Sequence, residues 1–148
     1  MNAVIVDVDG TLAEFHPADV HEWVLGPAKQ WDPFFAHMAN APVIEPVARL
    51  VKLLKAQGQQ IVICSGRPDS HREHTHAWLT RHDIPFDAMY LRPEGDDHVD
   101  DEEVKSALLN QMHSDGFAPW LVLDDRDAVV AQWRALGLTC LQCAPGDF

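Results

Sequence analysis

The chain has 148 residues, 47% of them hydrophobic, and a formal net charge of −12. That length fits one domain with a full core, and no apolar run approaches the ~20 residues of a bilayer span. The acidic balance, with no basic stripe, argues against broad, salt-sensitive binding of duplex nucleic acid.

In chain order, the first strand is expected at Ala3–Asp7, where β-branched residues run into Asp7, Val8 and Asp9 before Gly10 and Thr11. It begins within a few residues of Met1, without a basic segment and cleavage site, which predicts a cytoplasmic protein. His16 to Asn40 is too long for an ordinary loop. This aromatic insert, at about 16–40, is expected to fold over the sheet edge or over the mouth of a site. Its Trp23, Trp31, Phe34 and Phe35 either pack on the sheet or stack on bases.

Pro46–Gln57 carries apolar residues at helical spacing and stops at Gly58. Gln60–Cys64 reads as the second strand, Ser70–Arg81 as a helix and Phe86–Leu91 as the third strand. After an acidic loop over Pro93–Asp101, Asp100–His113 reads as a helix with acids in its first turn. Pro119–Asp124 is the fourth strand, Asp127–Leu136 a helix and Leu138–Cys143 the last strand. Trp78, Trp120 and Trp133 fall on apolar faces and are expected in the core. His71, His74 and His76 read as a solvated helix face, because His76 lies off the side shared by the other two. Cys64, Cys140 and Cys143 read as structural thiols of a reducing compartment.

This alternation predicts an α/β fold, a Rossmann-like three-layer sandwich with a central parallel sheet. Ligands in such sheets bind beyond the carboxyl ends of the strands. Three expected strands end in chemistry: VDVDG, ICSGR and LVLDDR. Asp7 and Asp9 at one strand end and Asp124 and Asp125 at another make an oxygen-rich set suited to Mg²⁺. A divalent cation offsets the repulsion between such carboxylates. Ser65, Gly66 and Arg67 offer a hydroxyl, backbone N–H groups and a guanidinium to an anion; Lys105, in the first turns of the next helix, could bridge nucleophile and phosphate, although a helical lysine taken alone reads as solvated.

DVDGT, a strand-terminal Ser, a Lys and then DD together resemble the four-part signature of the haloacid dehalogenase (HAD) phosphohydrolases. A closer likeness is to the 3′-phosphatase domain of bacteriophage polynucleotide kinase-phosphatase. It rests on ICSGR, on RPEGD followed by DD and Lys, and on DDRDAVVAQWRALGLTCLQCAPGDF. The resemblance implies one HAD-like domain over 1–148 without a large cap, and a catalytic set of Asp7, Asp9, Ser65 and Lys105. Asp7 would be the nucleophile and Asp9 the acid and base. Asp7, the Asp9 carbonyl, and Asp124 or Asp125 would hold Mg²⁺. Thr11, Gly66, Arg67, Arg92 and Arg126 would contact substrate, and Asp100 matches an acid ahead of the motif lysine, at a spacing one residue longer.

Three departures accompany the likeness, one being the His16–Asn40 segment with GPAKQWDPFF, which is unlike the phage domain. There is no GxxxxGK[ST] loop, so 5′-kinase activity is not expected. Where the family has a basic residue shortly after its first motif, this chain has EFHPAD, which leaves His16 as the stand-in. The expected activity is Mg²⁺-dependent removal of 3′-phosphates from DNA or RNA ends. The alternatives are a phosphatase of small nucleotides and a non-catalytic binding module of the same fold. The sequence carries no signal for oligomeric state.

Overall fold

A computed structural model describes residues 1–148. The elements are β1 (Asn2–Val6), α1 (Pro17–Val24), α2 (Trp31–Met38), α3 (Glu45–Ala56), β2 (Gln60–Pro68) and α4 (Arg72–Arg81). They continue through β3 (Ala88–Arg92), α5 (Asp101–Ser114), β4 (Ala118–Asp124), α6 (Asp127–Ala135) and β5 (Thr139–Gln142). All five strands pair in parallel, in the order β3-β2-β1-β4-β5. No helix is long and apolar enough to cross a membrane.

Strand alternation decides which residues enter which half of the core. From β1, Val4 and Val6 face one cluster, while Ala3 and Ile5 face the other. The first cluster lies under α1 to α4 and takes Val20, Phe34, Phe35, Met38, Val51 and Trp78. The second lies under α5 and α6 and takes Val104, Leu108, Met112, Val130 and Trp133. Helices therefore cover both faces, as a fully buried parallel sheet requires. In α3, Val47, Ala48, Val51 and Leu54 repeat at three to four residues and turn inward. Its outward Leu50 and Leu53 are exposed.

From β1 the chain builds outward through β2 to β3, then crosses back to place β4 on the other side of β1. That reversal opens a crevice beyond the carboxyl ends of β1 and β4, where doubly wound sheets bind ligands.

The structure corrects several sequence expectations. β2 runs four residues past Cys64 to Pro68, and a 3₁₀ turn over Asp69–His71 delays α4 to Arg72. Extended backbone thus carries Ser65, Gly66 and Arg67, and no helix begins there. The segment over 16–40 is two helices joined by a short connection, with Phe34 and Phe35 buried. Trp120 is 48% exposed instead of in the core. It sits where the register between β1 and β4 shifts, and its Nε1 donates to Gln59 at 2.8 Å. His71 of the 3₁₀ turn and His74 of α4 stack on Phe35, with ring centres 5.1 and 5.2 Å away, joining this segment to α2.

Candidate active site

Asp7 follows the last residue of β1, and its backbone N–H still donates to the Leu123 carbonyl of β4 at 3.0 Å. Asp124 ends β4, with its own carbonyl accepting from Cys143 at 2.9 Å. The sheet ladder therefore sets both carboxylates side by side. Lys105, one turn into α5 and buried, lies between them: its Nζ is 3.0 Å from Asp7 and 2.8 Å from Asp124. Asp124 also accepts from the Trp133 indole at 3.1 Å and from the Asp125 backbone N–H at 2.8 Å. Asp7, Asp124 and Asp125 present carboxylate oxygens within 4.8 Å of one another.

Three buried carboxylates against one ammonium leave an excess of negative charge in low dielectric. Burial, and then Asp124, push the Asp7 pKa well above the usual carboxylate range, against the pull of Lys105. Asp125 is raised to about 6, chiefly by burial, with Asp124 adding and a hydrogen bond with Asp7 opposing. Burial alone would weaken the charge on Lys105, but Asp124 and Asp7 outweigh it and hold its pKa above the usual lysine value.

Asp9 occupies different surroundings. Both its oxygens face Arg67, at 2.9 Å to Nε and 2.6 Å to Nη2, in a bidentate pair. Arg67 itself is buried, donates to Thr75 at 3.2 Å and lies over the rings of Phe34 and Phe35. Its placement comes from a bulge: Cys64 to Pro68 on β2 spans only Tyr90 to Arg92 on β3. Two additional residues on β2 turn Ser65 and Arg67 toward the crevice. The Ser65 hydroxyl accepts from the Arg67 backbone N–H at 3.1 Å.

Close approach dictates glycine at two positions bordering the carboxylates. Gly10 has φ +88°, and a Cβ there would sit 2.0 Å from Asp125 Oδ2. A Cβ on Gly66 would sit 2.6 Å from Asp101 Oδ1.

Asp7, Asp9, Ser65, Gly66, Arg67, Lys105, Asp124, Asp125 and Arg126 all border one cavity. Thr11 and Arg92 do not. Thr11 is fully buried beneath the cavity floor, its Oγ1 3.3 Å from both Asp7 and Asp125. Its single proton serves one of them at a time. Arg92 is held from behind by the carbonyls of Gly66, Asp96 and Val99 and by Asp101. His16 is exposed and borders a different depression.

Sequence reasoning missed Asp101, Lys29 and Phe148 as cavity residues, and treated Trp133 as core alone. The acid ahead of Lys105 is Asp101, not Asp100. Asp101 lies one helical turn before Lys105, on the same face, a spacing that was available to be read. It joins Arg92 to Arg126, the latter at 2.7 Å. Burial would raise its pKa, but Lys105, Arg126 and Arg92 together hold it below the usual range.

The arrangement suits a hard divalent cation on the donor set: three clustered carboxylates, excess negative charge and carboxyl groups reluctant to ionise without compensation. A model of the polynucleotide kinase PNKP phosphatase domain matches residues 1–148. A structure of a Pnkp1/Rnl/Hen1 complex contains a chain 31% identical, with TM-score 0.81, of which 47% is covered by 99% of this chain. The structure of the Pnkp1/Rnl/Hen1 RNA repair complex gives 32% identity, TM-score 0.80 and coverage of 99% and 43%. The present chain thus spans about half the length of those relatives. A class C acid phosphatase from Bacillus anthracis, 16% identical with TM-score 0.69 over 99% of this chain and 66% of its own, shares the fold. With its whole length matched, and carboxylates, serine and lysine gathered in one crevice, the chain belongs to the PNKP phosphatase-domain family of HAD phosphatases.

Proposed function

We propose that residues 1–148 form one catalytic unit that hydrolyses phosphomonoesters with Mg²⁺, through an aspartyl-phosphate on Asp7, at the 3′-ends of nucleic acid. The observation that carries this reading is the division of labour within DVD: Asp7 is buried beside Lys105 and two further carboxylates, while Asp9 is held apart by Arg67. The RNA repair complex in which a relative occurs supports the choice of substrate.

Asp7, Asp124 and Asp125, with the Asp9 carbonyl, would hold Mg²⁺, which neutralises charge on the phosphoryl oxygens when bound. In the first step an Asp7 carboxylate oxygen attacks phosphorus, and the bond to the nucleoside 3′-oxygen breaks. Asp9 gives the leaving oxygen a proton. In the second step Asp9 removes a proton from water, the water oxygen attacks phosphorus, and inorganic phosphate leaves Asp7 free. Splitting one displacement in two is the gain of covalent catalysis. Lys105 and Ser65 hold the transferring group. Both Asp9 oxygens accept from Arg67, so the guanidinium has to yield at least one bond before Asp9 carries a proton. The substrate phosphate is the anion that draws it away.

The second reading, a phosphatase of small nucleotides, is favoured by the partial cover that α1, the residue after it and α2 place over the cavity through Val24, Leu25, Trp31 and Phe34. The test is Mg²⁺-dependent phosphate release from a 3′-phosphorylated oligonucleotide, its 5′-phosphorylated twin and a set of mononucleotides. Preference for the 3′-end is expected. Equal or better turnover of mononucleotides selects the second reading.

A further inference from the structure

Lys29 stands apart from the other cations of the cavity. Lys105 is held by Asp7 and Asp124, Arg67 by Asp9 and Arg126 by Asp101. Lys29 borders the same cavity from the connection between α1 and α2, half-buried and without a carboxylate partner. Its Nζ donates to the Val24 carbonyl at 2.9 Å and lies 6.0 Å from the centre of the Trp31 ring. An ammonium has three donors, so one such bond leaves capacity for an anion.

The surroundings support an anion rather than a spectator lysine. Burial lowers the Lys29 pKa and Arg92 adds to that, while Asp101 and Asp97 oppose. Arg126 is close by in the same cavity: its Nε is on the Phe148 carbonyl and its Nη1 on Asp101, leaving Nη2 without an acceptor. Two cationic groups with spare N–H donors therefore border a cavity whose reacting phosphate is already provided for by Lys105 and Ser65. The uncharged wall of Phe15, Trp31, Phe34 and Phe148 suits a sugar and base.

Resting on the reading above, we propose that Lys29 binds a second, non-scissile phosphate: the one on the 5′-oxygen of the terminal nucleoside whose 3′-phosphate lies at Asp7. That group is a phosphodiester in a polynucleotide or a phosphomonoester in a nucleoside 3′,5′-bisphosphate, and the chemistry of recognition is shared. It gives an acidic chain a local attraction for nucleic-acid ends without a basic stripe.

The experiment compares KM for three substrates with Mg²⁺: a nucleoside 3′-monophosphate, the matching 3′,5′-bisphosphate, and a dinucleotide with a 3′-phosphate and a free 5′-hydroxyl. The wild-type protein is expected to show a KM roughly tenfold lower for a substrate with the second phosphate, the scale of one charge-assisted hydrogen bond. Lys29→Gln should remove that advantage and Lys29→Arg should retain most of it, which separates the contact from disturbance of the α1–α2 connection. An advantage confined to the dinucleotide assigns the phosphodiester as ligand, and one confined to the bisphosphate assigns the phosphomonoester. Equal KM values for all three substrates, or an advantage that survives in Lys29→Gln, would overturn the proposal and leave the phosphatase reading intact. No phosphate release from any 3′-phosphorylated substrate would overturn both.

Discussion

Asp7 and Asp9 are two residues apart in one strand-end motif, yet one is buried at 6% exposure beside an ammonium and the other meets a guanidinium at the cavity surface. Asp7→Asn keeps the shape and removes both nucleophile and charge. Turnover is expected to fall on the order of 10³-fold or more, with a metal-free melting temperature no lower than wild type. Near-full phosphate release by this variant would remove Asp7 as nucleophile. Trp133 shows how a residue read as core acquires a second task. Its indole N–H steadies Asp124 at 3.1 Å, so Trp133→Phe, which keeps the bulk, should raise the Mg²⁺ concentration for half-maximal activity about tenfold. An unchanged Mg²⁺ titration would reduce Trp133 to packing.

At the scale of elements, the turn after β1 and the bulge in β2 deliver the chemistry. Gly10 combines φ +88° with a 2.0 Å approach to Asp125, so Gly10→Ala displaces an acid of the proposed metal set as well as straining the turn. The variant should lose more than ~1 kcal/mol in urea unfolding and most of its activity. A fully active and stable Gly10→Ala would show that the turn adapts freely. Helices were legible wherever apolar spacing was regular, as in Pro46–Gln57, which overlaps α3. The β2 bulge was not, because its extra residues exist only relative to the register of β3. The two helices over 16–40 were hidden by short length and interleaved prolines, although the aromatic content signalled that the segment had to be buried.

For the molecule as a whole, site electrostatics set a sign for stability against pH. Without metal, folded Asp7 and Asp125 bind protons more tightly than the ordinary carboxyl value of 3.8, Asp125 to about 6. Between roughly pH 4 and 7 the folded state therefore holds more protons than the unfolded chain, and stability falls as pH rises through that window. Asp101 acts in the opposite sense: its depressed pKa contributes stability that is lost only in stronger acid. The melting temperature of EDTA-treated protein should drop from pH 5 to pH 7.5, and Mg²⁺ at pH 7.5 should raise it again by several degrees. Calorimetry across that range checks both parts, and a profile that rises with pH would contradict the raised carboxyls.

Local chemistry was enough to reveal the alternating strands and helices and the acids at strand ends, with Ser65 beside them, while Lys105 joined that set only through the family resemblance. Periodicity and turn residues act over a few neighbours, and parallel strands share one carboxyl end, so those positions follow from the order of elements. Other features depended on which distant atoms came within hydrogen-bonding reach. Arg67 pairs with Asp9 across 58 positions of chain, and Lys105 bridges residues from β1 and β4. Arg92 and Thr11 are turned away from the cavity by partners that no local pattern announces. Lys29 borders the cavity and His16 does not, because helix packing, not distance along the chain from the first motif, set which basic groups reached it.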